Sequence, residues 1–351
     1  MPLHTISAEE ALGRLDTYDA IIDARSENEF AEDHLPDALN WPTLDNQQRH
    51  DIGTTYKQVN AFEAKKRGAA LAARNIAQHI ERNVLDMPKG WQPLVYCWRG
   101  GKRSGSLSLI LSEIGFRVTL IEGGYKAFRA AMLADIPRLA HKFKWQVICG
   151  TTGSGKTRLL HALQAAGAQV LDLEGLAQHR SSVLGGLPGV AQPSQKQFDM
   201  RIWNALRRLD PLKPVFVESE SKKVGNVAIP TALIEAMRSS PCIDLMLPDE
   251  ERVALLMEDY DFFVRDSEAF CDRLDALTQL RGKQVVEGWK AQARSGQTES
   301  VVRDLLISHY DPVYVDSMRR NFSAYAQARK IQPMNRSSAA MREVAQTLAA
   351  K

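Results

Sequence analysis

The stretch WQVICGTTGSGKT, Trp145 to Thr157, joins a short apolar run to a glycine-rich loop that satisfies GxxxxGK[ST] and leads into a helical pattern over Lys156 to Ala166. From this composition a chance match is expected about 0.01 times. The physical reading is a phosphate cradle. Gly150, Gly153 and Gly155 free the backbone so that consecutive N–H groups, including that of Ser154, converge on phosphate oxygens. The helix N-terminus adds positive potential, Lys156 adds a point charge, and the Thr157 hydroxyl is placed to hold a magnesium ion. Such a loop specifies a di- or triphosphate and says nothing about a base.

Outward from the loop toward the C-terminus, the alternation of strand and helix continues. Apolar runs at Ala168 to Leu173, Pro214 to Glu218 and Ile243 to Leu247 read as strands, with helices between them. Two acidic segments follow strands, Asp172 and Glu174 in VLDLEG, and Glu218 and Glu220 in VFVESES. Asp172, Glu174 and Glu218 are the candidates for a metal-holding or acid/base role, against the simpler reading that they cap the next helix. From about residue 249 the pattern is mainly helical, with no clear further strand.

Toward the N-terminus the seam falls near residue 140, where IPRLAHKFKW passes from helical spacing to a basic connector. Before it lie strands at Asp19 to Asp23, Pro93 to Tyr96 and Arg117 to Ile121, with helices near Asn60 to Arg82, Ser104 to Ile114 and Tyr125 to Ala134. The expected organisation is an α/β domain over residues 1–137 and a P-loop α/β domain over 141–351 with a helical, basic C-terminal part. At roughly 100 to 200 residues per domain, 351 residues suit two such cores.

The second loop with chemistry is CWRGGKRS, Cys97 to Ser104, between the buried-looking strand PLVY and a helix. Arg99, Lys102, Arg103, a glycine pair and a helix N-terminus all favour a thiolate at Cys97, and so a nucleophile serving an anionic chalcogen donor. Cys149, Cys242 and Cys271 lie on apolar faces and read as buried small hydrophobes. No cysteine spacing suggests a disulfide framework or a zinc site.

Composition bounds the rest. With 44% apolar and 25% charged residues the chain reads as globular, and no apolar run is long enough for a membrane span. The N-terminus lacks the pattern of a signal peptide, so a cytoplasmic address is expected. Charge is uneven: residues 1–140 carry 17 Lys+Arg against 18 Asp+Glu, whereas residues 281–351 carry 12 against 6. The footprint for an anionic polymer therefore falls at the C-terminal end, with Arg319, Arg320, Arg329 and Lys330 as candidates for phosphate contacts and Tyr310, Tyr314, Phe322 and Tyr325 as stacking groups.

Residues 12 to 134 resemble a single rhodanese domain, with DAR at Asp23 to Arg25, then ENEF, HLPDALN, CWRGGKRS and EGGY at Glu122 to Tyr125. A rhodanese domain followed by a P-loop, VLDLEGLAQHR, VFVESESKKVG and HYDPVY is similar to the bacterial tRNA 2-selenouridine synthase family. The resemblance implies replacement of sulfur by selenium in wobble 2-thiouridine of the tRNAs for Lys, Glu and Gln, acting on their anticodon stem-loops, with selenophosphate as donor. It also implies S-geranylation of that base from geranyl diphosphate as an intermediate step. Both donors are substrates, and no tightly bound cofactor is expected. By the same resemblance Cys97 matches the rhodanese nucleophile and Gly150 to Thr157 the P-loop. Trp98 and the glycine pair set the loop apart from ordinary rhodaneses. The competing reading is a P-loop kinase or ATPase with a rhodanese-like module that carries sulfur or senses redox state. It differs in requiring ATP hydrolysis. A non-catalytic RNA-binding adaptor is disfavoured by the cationic cysteine loop.

Overall fold

The computed structural model describes residues 3–182, 185–186 and 189–350. The chain divides into two compact units, residues 1–136 with 194–204, and residues 137–193 with 205–351.

In the first unit five parallel strands, β1 (His4–Ile6), β2 (Ala20–Asp23), β3 (Ala38–Asn40), β4 (Pro93–Tyr96) and β5 (Thr119–Ile121), form one sheet in the order β1-β5-β4-β2-β3. Every residue of β4 and β5 is buried, as befits strands covered by helices on both faces. Ile22, Val95, Leu107, Leu111, Trp41 and Trp91 form the core on one side. Neighbouring strands β2 and β4, in register at Asp23 and Tyr96, send their chains in opposite directions across the sheet. A crevice at their carboxyl ends is where such sheets bind ligands, and the Cys97 loop leaves from there.

In the second unit β6 (Lys144–Cys149), β7 (Gln169–Leu171), β8 (Pro214–Glu218), the short hairpin β9 (Lys223–Val224) and β10 (Val227–Ala228), β11 (Cys242–Leu245) and β12 (Arg329–Ile331) are the strands. The main sheet is parallel in the order β12-β11-β6-β8-β7. Strand β6 is flanked by β8 and β11, so the loop leaving it sits at the switch point of this sheet. Ile148, Leu159, Leu163, Leu245, Met341 and Leu348 pack one face. A separate helical core gathers Phe263, Phe270, Leu274, Val286, Trp289 and Val301.

The α/β architecture agrees with the sequence reading, but β1, β3 and the β9–β10 hairpin were not expected, and other elements differ from it as well. β12 lies beyond residue 249, where no strand was expected. It is three residues, two of them charged, at a sheet edge, a form that blunts edge pairing and hides the apolar signal. The helix Asn46–Gln58 has no buried residue; its start is set by a capping box between Asp45 and Gln48, so it carries no apolar period to read. Leu173, expected at the end of a strand, opens a helix capped by Asp172, whose carboxylate accepts the Gly175 N–H at 2.7 Å. Among the described residues no helix is long and apolar enough to cross a membrane.

Candidate functional site

Each unit presents one loop at the carboxyl edge of its sheet. In the first, the backbone after β4 is stapled to the segment Gly123-Gly124-Tyr125. The Tyr125 N–H donates to the Cys97 carbonyl at 2.8 Å and the Lys126 N–H to that of Trp98 at 3.1 Å. Gly100, Gly123 and Gly124 have φ of 66°, 69° and 57°. A Cβ on Gly124 would overlap the Cys97 carbonyl oxygen and stand 2.5 Å from the Gly100 nitrogen. The two glycine pairs are thus one device, letting two backbones approach where no side chain fits.

Cys97 lies at the base of this loop, 3% exposed, and its sulfur accepts from Ser104 Oγ at 3.1 Å. The helix Lys102–Ile114 begins directly after the loop, with no side-chain cap at Gly101. Arg103 is committed to Glu29, at 2.6 and 3.3 Å, and Glu29 is also paired with Arg49; the two guanidiniums hold that carboxyl below its usual range against the cost of its burial. Arg99 and Lys102 are exposed and have no ion-pair partner among the described residues. Of the three cations read from the sequence, two are available to an incoming anion and one is structural. The DAR segment is structural as well: Arg25, 1% exposed, donates to Asp23 and to the Asp33 carbonyl and lies 4.1 Å from the Tyr125 ring centroid.

The P-loop is held differently. Gly150, Gly153 and Gly155 have φ of 152°, 78° and 89°, and Ser154 is fully buried between them. The Gly150 N–H donates to Tyr314 Oη at 2.8 Å, and that hydroxyl also meets Ser219 Oγ at 2.8 Å. Arg252, 4% exposed, donates to the Thr152 carbonyl through Nε at 3.0 Å and Nη2 at 2.9 Å, and grips Asp311 with both Nη atoms. Lys156 Nζ rests on the Gly150 carbonyl at 2.7 Å, 5.2 Å from the Tyr314 ring centroid. Asp311 and Tyr314 follow a π-helical turn at Leu305–Tyr310, within the HYDPVY segment. Sequence reasoning missed Arg252 and Asp311. It also offered Tyr314 as a base-stacking group, whereas here its hydroxyl is bound beneath the P-loop.

Two of the three expected carboxylates, Glu174 and Glu218, come together beside Thr157, while Asp172 caps the next helix. Thr157 Oγ1 donates to Glu174 at 3.1 Å, the Glu174 N–H donates to Glu218 Oε1 at 2.8 Å, and the Ser181 N–H donates to Glu174 Oε1 at 2.6 Å. Burial, reinforced by Asp172, Glu220 and Glu174, raises the Glu218 carboxyl well above its ordinary range, and burial with Glu174 pushes Glu220 up to about 8. Glu218 Oε2 is buried without a hydrogen-bond donor among the described residues. An acidic group crowded in this way suits a cation that offsets the repulsion. Among the described residues no three His, Cys, Asp or Glu side chains stand together to enclose a metal ion, so the fit is to an ion taking its remaining oxygens from phosphate and water.

The basic candidates are dispersed. Arg319 and Arg320 are exposed at the end of the helix Asp311–Asn321, while Arg329 and Lys330 are exposed on β12, where successive side chains point to opposite faces. Phe322 is 2% exposed in the core and Tyr310 lines an apolar cavity, which takes both out of the stacking role the sequence suggested; Tyr325 is half-buried. Cys149, Cys242 and Cys271 are buried, as their apolar faces indicate.

Comparison with known proteins adds the following. Residues 7–131 match the rhodanese-like domain family, and residues 143–280 match the family described as tRNA 2-selenouridine synthase AAA domain. A tRNA 2-selenouridine synthase of Nitrosomonas europaea is 38% identical over 68% of this chain and 63% of its own length. Those of Alcanivorax borkumensis and Sulfurovum are 32% and 30% identical, over 84% and 86% of this chain and 88% and 90% of their own lengths.

Proposed function

The chain belongs to the tRNA 2-selenouridine synthase family, and from that premise we propose that it is a tRNA-modifying transferase that replaces sulfur by selenium at C2 of a wobble 2-thiouridine in two steps. In the first, the thiocarbonyl sulfur attacks C1 of geranyl diphosphate; the C1–O bond breaks and diphosphate leaves. In the second, selenium of selenophosphate attacks C2, the C2–S bond breaks and geranyl thiolate departs, to be protonated by water. Water then cleaves the P–Se bond and phosphate is released. Alkylation matters because a thiocarbonyl sulfur is a poor leaving group and an S-alkylated one is a good one.

The observation that carries this reading is the different equipment of two anion-binding loops in one chain. The P-loop supplies converging N–H groups and Lys156, which moves from the Gly150 carbonyl to the charge that develops on departing diphosphate. Thr157, with Glu174 and Glu218 behind it, would hold a magnesium ion; when bound, the ion neutralises the leaving group. The Cys97 loop supplies unpaired Arg99 and Lys102 at a helix N-terminus to draw an anionic selenium donor to the cysteine. The tRNA substrates are those whose anticodons carry the thiolated wobble uridine, for Lys, Glu and Gln, in the cytoplasm. Arg319, Arg320, Arg329 and Lys330 supply phosphate contacts.

The test is mass spectrometry of tRNA nucleosides after incubating 2-thiouridine tRNA with the full chain and each donor. Geranylated base with geranyl diphosphate alone, and selenouridine on adding selenophosphate without ATP, are expected. Turnover that depends on ATP hydrolysis would favour the kinase or ATPase reading instead.

A further inference from the structure

The second unit contains an apolar cavity that shares a wall with the P-loop. Thr152 of the loop lines it, together with Leu256, Phe263, Phe270, Val302 and Leu306. It encloses about 50 Å³ and opens into about 520 Å³ of space continuous with solvent. Among the described residues its polar lining side chains carry hydroxyls, and no charged or amide side chain lines it. A purine or ribose held there would leave its hydrogen-bonding edges unmet, at a cost a hydrocarbon does not incur. The floor is built from Phe270, Leu305 and Leu306, all at most 3% exposed, whereas Val264 at the rim is 44% exposed.

The wall common to cavity and cradle is the π-helical turn. Leu305, Leu306 and Tyr310 face the cavity from it, and Asp311 and Tyr314, one turn on, hold Arg252 and the Gly150 N–H. A π-turn re-aims the side chains that follow it, so one helix serves both the apolar and the phosphate side. A ligand with its phosphates on Gly150 to Thr157 and its tail past Thr152 would be a diphosphate ester of a hydrocarbon chain.

We infer that this cavity receives the hydrocarbon tail of the diphosphate donor and that Val302 and Leu306 set the chain length accepted. The inference rests on the proposed use of an allylic diphosphate and adds the place and the ruler. Each five-carbon unit that finds room should raise affinity about tenfold or more. Leu306 lines the cavity and is 2% exposed, so the gain should stop once the tail meets it.

The experiment is calorimetric binding of inorganic diphosphate, dimethylallyl, geranyl and farnesyl diphosphates to the full chain with magnesium. Wild type should bind geranyl diphosphate at least tenfold more tightly than inorganic diphosphate. Val302→Trp should abolish that advantage while diphosphate affinity stays within about twofold, which also reports that the P-loop is folded. Leu306→Ala, which removes volume rather than adding it, should raise the ratio of farnesyl to geranyl affinity about threefold or more. A wild-type preference that neither variant alters would overturn the cavity assignment alone. No wild-type preference for the prenyl diphosphates over diphosphate would overturn it together with the donor on which it rests.

Discussion

The Cys97 loop and the P-loop occupy equivalent places, each leaving a parallel strand at a switch point and entering a helix, yet they are held by opposite means. The cysteine loop is pinned by backbone from Gly123 to Lys126, less than thirty positions away, through glycines that remove side chains from the contact. The P-loop is pinned by side chains: Arg252, Tyr314 and, against Gly155, Met341, each about a hundred positions or more away in the chain. A loop fixed by its own neighbourhood leaves Arg99 and Lys102 free to meet an anion. A loop fixed by distant helices can be tied to whatever those helices line, here an apolar cavity.

The sharpest way to break the contrast is at the glycine staple. Gly124→Ala places a Cβ against the Cys97 carbonyl at a φ of 57°, with no side chain able to yield. A loss of about 3 kcal/mol from the first unit is expected, together with loss of selenium incorporation. Chemical denaturation followed by a first-unit probe checks it; wild-type stability would mean that the two backbones are not in contact.

On the other side, Tyr314→Phe removes one hydroxyl and leaves the Gly150 N–H and Ser219 without it. About 1–3 kcal/mol of stability should go, and diphosphate affinity should fall about tenfold because the cradle loses its anchor. Unchanged diphosphate binding by calorimetry would show that the loop keeps its shape unaided.

This contrast also explains what could be read in advance. The P-loop, the cysteine loop and the order of strands and helices were legible because local spacing encodes them: GTTGSGKT after WQVIC, CWRGGKRS after PLVY. The glycines of EGGY were visible in the sequence, while their partner across the staple was not. Arg252 stands in DEERVALLMED, where the three acids before it suggest a solvated helix start, and only tertiary packing shows it buried on Thr152 and Asp311. Tyr310 and Tyr314 had the spacing of a helix face, which does not say whether the face meets RNA, a cavity or a loop.

A smaller effect concerns the acidic group. Glu220 has a carboxyl raised to about 8 from the ordinary 4.5 by burial and Glu174. A raised acid binds its proton more tightly when folded, so the stability it contributes is full below about pH 4.5 and is lost as pH rises through about 8. Glu220→Gln, which cannot ionise, should flatten the decline in melting temperature between pH 5 and 8.5 and be the more stable protein at the upper end. Parallel pH profiles for the two proteins would show that Glu220 is not the group titrating.

The division of labour between the loops is tested most directly by crossing two variants with two substrates. Lys156→Ala and Cys97→Ser are each given 2-thiouridine tRNA with both donors, and separately pre-geranylated tRNA with selenophosphate, with nucleosides read by mass spectrometry. Lys156→Ala is expected to form no geranylated base yet to convert the pre-geranylated tRNA to selenouridine, and Cys97→Ser to geranylate normally and to stop there. Loss of both steps in Lys156→Ala, or normal selenouridine from Cys97→Ser, would contradict the account.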